Sequence, residues 1–239
     1  MVSKNQIKLV VSLQQKKYRS QHKLFVVEGV KTVSEILNAG LKPFKLFVDE
    51  QQKIENFCEA EVISKSELKQ MSSLSNPNGV LGVFYMPDVK KPENTDWMVA
   101  LDAVRDPGNL GTIIRLCDWF GIKHLICSLD TADCYNPKVL QATMGSITRV
   151  NIVYTDLFDY LKKTSLPVFG TFMDGDSIYH KELPEVGIMV MGNEAKGISE
   201  EISDVVTEKM AIPQFGSKTT ESLNVATATA ILLNEIRRS

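Results

Sequence analysis

Residues 98–128 read MVALDAVRDPGNLGTIIRLCDWFGIKHLICS, and this stretch decides the fold. Met98 to Val104 is a nearly continuous apolar run of strand length, a helix is predicted from about Asn109 to Phe120, and His124 to Ser128 is a second apolar strand. A strand that is apolar throughout has both faces covered, and a helix joining two such strands is the connection of a parallel sheet. Downstream, Val150 to Thr155, Pro167 to Phe172 and Ile188 to Met191 are further strands with helices between them. Ser222 to Arg238 is a long last helix, apolar from Leu223 to Leu233 apart from Asn224, Thr227 and Thr229, so it must be buried against something.

Upstream of Met98, residues 87–96 (PDVKKPENTD) are polar with two prolines, a linker composition. Before them the short strands Leu24 to Val27, Phe44 to Val48, Glu61 to Ile63 and Val80 to Met86 alternate with helical stretches such as Val30 to Ala39, which stops at Gly40. The fold class is therefore α/β with two domains, a small unit over 1–88 and a parallel-sheet unit over 97–239, joined by a linker at 89–96. The length of 239 residues agrees with two compact units.

Composition excludes several classes. With 44% hydrophobic and 23% charged residues the chain is an ordinary globular one. Cys58, Cys117, Cys127 and Cys134 form no C-x-x-C pair, and with three histidines no structural zinc pattern arises, so no metal is expected. The apolar stretch Leu9 to Leu13 is too short for a secretory signal, and no run reaches membrane-spanning length; the expectation is a cytoplasmic protein with reduced thiols. The net charge of −2 hides an uneven distribution. Lys4, Lys8, Lys16, Lys17, Arg19 and Lys23 all precede the first acidic residue, Glu28. A basic block of this kind is a solvated face or a phosphate-binding one.

Three loops follow strands, where open α/β sheets bind ligands. In the first, RDPGNLG (105–111), Pro107 and Gly108 suit a type II turn and Asn109 suits a helix N-cap. Turn chemistry does not explain Arg115, a guanidinium on an otherwise apolar helix that calls for an anionic partner. The second, GNEAKGIS (192–199), has the glycine spacing of a P-loop but Ile198 where the lysine belongs, so a Walker A site is rejected. No G-x-G-x-x-G is present. Ser199 with Glu200 and Glu201 reads as a helix start, which leaves Gly192, Gly197 and Glu194 unexplained. The third, IPQFGSKTTESLNVA (212–226), reads as a polar loop capped by Ser222, with Asn224 out of place inside the last helix.

Taken together, DPGNLGTIIR (106–115), MGNEAKGIS (191–199) and IPQFGSKTTESLNVATATAILLNE (212–235) resemble the SpoU (TrmH-like) family of RNA ribose 2′-O-methyltransferases within the SPOUT class. The resemblance covers 97–239, and more loosely 1–86, through KLFVVEG (23–29), the ribosomal-protein-like substrate-binding domain of that family. It implies a trefoil-knotted catalytic domain, S-adenosylmethionine as cofactor, a structured RNA as partner (ribosomal RNA more often than transfer RNA), and a homodimer formed through the catalytic domains. It further implies that Arg115 engages the ribose and its phosphate, with Asn109, Glu194, Ser222 and Asn224 orienting arginine and ribose, Glu194 as the partner of Arg115. Cofactor contacts are expected mainly from backbone groups around Thr171, Gly192, Ile212 and Leu223. RNA phosphates are expected at Lys16, Lys17, Arg19 and Lys23. The chain departs from many relatives in having Ala226 after Leu223-Asn224-Val225, and Asn193 before Glu194. A non-catalytic RNA-binding protein of the same fold, or a base methyltransferase, are the competing readings.

Overall fold

The computed structural model describes residues 2–50, 57, 59–77, 79–216 and 222–238. The chain packs as two units, Met1–Asp88 with Asp133–Thr148, and Val89–Ala132 with Arg149–Ser239. The first segment of the first unit ends at Asp88. Two expectations are corrected. The linker 89–96 belongs to the second unit: the Lys90 amide donates to Asn151 Oδ1 at 3.0 Å, the Glu93 amide to His124 Nε2 at 3.3 Å, and Asp96 is paired with Arg237 at 2.8 Å. Residues 133–148 join the first unit, because Asp133 is the carboxylate partner of Arg19 and the Tyr135 ring packs tilted against Phe25 with centroids 4.8 Å apart.

In the first unit, helices α1 (Lys4–Ser12), α2 (Lys16–His22), α3 (Val30–Asn38) and α4 (Lys65–Met71) surround strands β1 (Leu24–Glu28), β2 (Pro43–Asp49), β3 (Glu61–Ile63) and β4 (Val80–Tyr85), with α6 (Pro137–Thr143) supplied from downstream. The sheet order is β1-β4-β2-β3, antiparallel except between β2 and β3. Capping boxes, Ser3 with Gln6 and Ser64 with Glu67, start α1 and α4. Val10, Leu13, Val26, Phe47, Leu68, Met71 and Leu81 form the core.

The second unit holds β5 (Met98–Leu101), α5 (Pro107–Trp119), β6 (His124–Ser128), β7 (Asn151–Thr155), α7 (Leu157–Lys163), β8 (Val168–Ser177), β9 (Ile188–Met191), α8 (Glu200–Ser203), β10 (Glu208–Ala211) and α9 (Val225–Arg238). All pairings in the sheet β10-β8-β9-β5-β6-β7 are parallel, as the unbroken apolar strands require. From β5 the chain builds outward through β6 and β7, then returns to build β8, β9 and β10 on the other side. The reversal opens a crevice at the carboxyl ends of the strands.

Three local details differ from the sequence reading. α5 begins at Pro107, with Asp106 as N-cap accepting from the Asn109 amide at 2.8 Å, so Asn109 lies inside the first turn and its side chain is free for other work. α9 begins at Val225, and the side chain that caps its amides is Asn224, not Ser222. Strand β8 runs further than expected because it bows. Lys209 pairs with Gly170 but Met210 pairs with Asp176, so residues 171–175 leave the ladder with β10. β10 itself, EKMA, is too short and too mixed to be seen as a strand in the sequence. Val225, Ala226, Thr229, Leu232, Leu233 and Ile236 of α9 are buried within the unit, which satisfies the apolar character of that helix without a second chain. Among the described residues no helix is long and apolar enough to cross a membrane.

Candidate active site

The bow in β8 has a consequence at its neighbours. Thr171, Phe172 and Met173 swing away from β10 and line a cavity of about 730 Å³ together with Gly192 to Gly197, Met210 to Gln214, Gly216, Ser222, Leu223 and the start of α9. Its walls are apolar at Met191, Met210, Val225, Ala228 and Leu232. The Thr171 hydroxyl donates its proton to the Val190 carbonyl at 2.9 Å, so toward a ligand it is left as an acceptor only. All four positions expected around a cofactor, Thr171, Gly192, Ile212 and Leu223, border this one cavity, with Glu194 and Ser222.

The loop after β9 is closed on itself. The Asn193 amide donates to the Gly197 carbonyl and the Gly197 amide returns to Asn193, both at 2.9 Å. Asn193 Oδ1 accepts from the amides of Ala195 and Lys196, and its Nδ2 donates to the Ala103 carbonyl at 2.7 Å, tying this loop to the one after β5. The two glycines find their reason here. A Cβ on Gly192 would lie 2.2 Å from the Gly197 carbonyl carbon, and Gly197 has φ +70°. Asn193, which the sequence marks only as a departure, is the knot of hydrogen bonds that holds Glu194 in place.

Glu194 points back at the start of α5. Its carboxylate accepts from the amides of Asp106 at 3.0 Å and Arg105 at 3.2 Å, and from Asn109 Nδ2 at 3.1 Å. Asn224 Nδ2 in turn donates to Asn109 Oδ1 at 2.9 Å, while Asn224 Oδ1 caps α9 by accepting from Ala226 and Thr227 at 2.9 and 3.2 Å. Partial burial pushes the Glu194 carboxyl up, but the hydrogen bonds from Asn109 and the backbone amides outweigh it and hold the group below its usual range, hence ionised. Residues 109, 194 and 224, far apart in sequence, thus form one chain of hydrogen bonds. Each of the two asparagine amides keeps a second N–H that is unused among the described residues.

Arg115 does not join them. Six positions after Asn109, it lies roughly 240° around the helix. It is exposed, and among the described residues it has no hydrogen-bond or ion-pair partner. The expected Glu194–Arg115 pair is replaced by bonds from Glu194 to two backbone amides and Asn109. Ser222 lines the cavity and is exposed; residues 217–221 of the third motif lie outside the described residues. In the basic block, Lys16, Lys17 and Lys23 are exposed, but Arg19 is only 2% exposed. Its guanidinium donates to the carbonyls of Leu13 and Gln14, both at 2.8 Å, and is clamped to Asp133 at 2.5 Å. It caps the end of α1 instead of offering charge to a phosphate. No local signal separates it from its lysine neighbours, because its partner lies 114 residues away.

A parallel α/β sheet with an apolar-walled cavity at its carboxyl edge, and an ionised carboxylate anchored beside it, defines a ligand-binding α/β domain of the enzyme type. The SpoU rRNA methylase family matches residues 96–234, and the MRM3-like substrate binding domain matches residues 4–82. The chain belongs to the SpoU rRNA methylase family. RlmP of Bacillus subtilis (strain 168), a 23S rRNA (guanosine(2553)-2′-O)-methyltransferase, is 30% identical to it, over 98% of this chain and 97% of its own. A structure from Porphyromonas gingivalis assigned to the TrmH family of RNA methyltransferases superposes with a TM-score of 0.90 at 39% identity, covering 100% of this chain and 99% of its own. The AdoMet-bound rRNA methyltransferase of Sinorhizobium meliloti gives 0.87 at 30% identity, covering 100% and 97%.

Proposed function

We propose that this protein transfers the methyl group of S-adenosylmethionine to a ribose 2′-hydroxyl of ribosomal RNA. The observation that carries the reading is the hydrogen-bonded set Glu194–Asn109–Asn224 beside a cavity large enough for that cofactor, in a chain of this family. The cavity fits the group chemically: its apolar walls take an adenine ring, and main-chain N–H and C=O groups around Gly192, Ile212 and Leu223 read its edge. When bound, the cofactor supplies an electrophilic methyl carbon on a sulfonium. The rest of the work falls to the protein. Glu194 fixes the amide of Asn109, Asn109 fixes that of Asn224, and the spare N–H of each would hold an oxygen of the ribose or its phosphate. Ser222 adds a hydroxyl at the cavity wall.

Arg115, exposed on another face of α5 than Asn109, clamps the phosphate of the target nucleotide, while the proton of the 2′-hydroxyl leaves to phosphate or water. Arginine stays protonated in proteins and is a poor base, whereas a free guanidinium matches a phosphate bidentately. Lys16, Lys17 and Lys23 hold RNA on the first unit. The domain containing the cavity is threaded as a trefoil knot, as the resemblance implies. We place the dimer contact on the outer face of α5, where Trp119 is 83% exposed one turn beyond Arg115; Trp119→Glu then yields a monomer by light scattering. Among the described residues Cys117, Cys127 and Cys134 form no disulfide, which fits a reducing cytoplasm.

The test is incubation with labelled S-adenosylmethionine and either ribosomal or transfer RNA. Ribose methylation leaves a phosphodiester resistant to alkali. Folded, cofactor-binding protein that incorporates no label refutes the enzyme reading, label only in transfer RNA refutes the substrate, and an Arg115→Ala variant of native rate refutes the role of that residue.

A further inference from the structure

The small unit carries a feature that neither its core nor its basic helix uses. Phe44 and Tyr85 are 44% and 42% exposed, side by side with ring centroids 5.7 Å apart and planes at 83°. Phe44 reaches this position because β2 is bulged. Pro43 pairs with Phe84 and Lys45 with Val83, which leaves Phe44 as the extra residue, turned out of the ladder. A bulge costs pairing and is a common way to re-aim one side chain. Here it aims a phenylalanine into solvent, next to a tyrosine that ends the neighbouring strand.

The surroundings are cationic. The Lys42 ammonium lies 5.9 Å from the Tyr85 ring centroid, and its carbonyl accepts the Tyr85 amide. On the other side of β4 the Met86 amide donates to the Lys23 carbonyl at 2.9 Å, so exposed Lys23 flanks the same strand end. Glu61 on β3 is already neutralised by Lys45 at 2.9 Å. Two exposed aromatic faces at the end of an antiparallel sheet, bracketed by lysines, have the chemistry that binds unpaired nucleotides: bases stack on the rings and phosphates meet the ammonium groups. A protein partner of ordinary apolar character would gain little from the lysines.

We propose that Phe44 and Tyr85, with Lys23 and Lys42, form a stacking site for splayed-out bases of the RNA substrate. The inference rests on the reading of the protein as an RNA enzyme, and it assigns to the first unit a contact with single-stranded nucleotides in addition to phosphate contacts by α2. The full-length chain is titrated into a fluorescein-labelled uridine-rich RNA of about 12 nucleotides and followed by anisotropy. Phe44→Ala with Tyr85→Ala weakens binding by about fivefold or more, Tyr85→Phe keeps it because the phenol hydroxyl does not stack, and Lys42→Gln lowers the salt slope by about one. Calorimetric binding of S-adenosylmethionine and thermal unfolding, both unchanged, establish that the double variant is folded. Native RNA affinity in that folded variant overturns the proposal, as does loss of self-association in place of RNA affinity. A wild-type chain that binds the oligonucleotide but methylates no RNA sinks the enzyme reading alone; one that methylates RNA while the double variant binds normally sinks the stacking site alone.

Discussion

Asn224 has two jobs that substitution can separate. Its Oδ1 caps α9 and its Nδ2 holds Asn109. Asn224→Ala removes both. Loss of an N-cap costs about 0.5–2 kcal/mol, and loss of one solvent-accessible hydrogen bond about 0.5–1.5 kcal/mol, so destabilisation of about 1–3.5 kcal/mol is expected. Asn224→Asp keeps the cap, since a carboxylate at a helix N-terminus serves as well as an amide. It nevertheless breaks the chain of bonds, because Asn109 then faces a carboxylate on both sides. If the Asn109 amide stays, its Oδ1 meets the new carboxylate; if it flips, its Oδ1 meets Glu194. One end is unsatisfied either way. Stability should therefore remain near native while turnover falls about tenfold to a hundredfold through misplacement of the two amides. Urea unfolding and single-turnover methyl transfer read the two effects. An Asn224→Asp variant as unstable as Asn224→Ala refutes the capping argument, and one with native turnover refutes the role of the amide chain.

Three further outcomes follow from the geometry. Arg19→Met leaves Asp133 without its partner and should cost about 3–5 kcal/mol in urea unfolding, with Asp133→Leu added to it restoring part of the loss; a neutral single variant would mean that the clamp contributes nothing. Gly192→Ala drives a Cβ to 2.2 Å from the Gly197 carbonyl carbon, so calorimetry should show cofactor binding lost, and native affinity would show that the loop has another way to close. Burial depresses the pKa of His124 from its usual 6.5, so the folded state binds fewer protons than the unfolded one. Its contribution to stability is then full above about pH 6.5 and declines as the pH falls below that value. Protonation of Nε2 removes the acceptor for the Glu93 amide, and residues 89–96 should be cut faster by protease in mild acid; equal protection across that range contradicts it.

What was legible in the sequence depended on the range of the interaction responsible. β9 and β6 match their predicted bounds because a run of apolar residues reports burial on both faces directly. The three loops were visible because glycine, asparagine and glutamate stood where turn chemistry alone does not need them. Helix starts were misassigned by two or three residues, since Asp106 and Asn109, or Ser222 and Asn224, are equally good caps until tertiary contacts choose between them. The bow of β8 and the burial of Arg19 were invisible, the first set by a register with β10 and the second by a carboxylate on a distant segment. The apolar neighbours of Arg115 suggest an anionic partner within the chain, but helix periodicity alone puts it on a different face from Asn109, and it is exposed.

The interleaving of the two units bears on how this protein can be taken apart. A gene fragment ending at residue 88 would encode every strand of the first sheet yet omit Asp133 and Tyr135. Such a fragment would carry a solvent-excluded guanidinium with no counter-charge and a phenylalanine with one face bare. The portable form of the first unit is therefore discontinuous, residues 1–88 grafted by a short bridge to 133–148. Ancestral shuffling or laboratory chimeras that exchange the amino-terminal half alone would have to bring that second piece along.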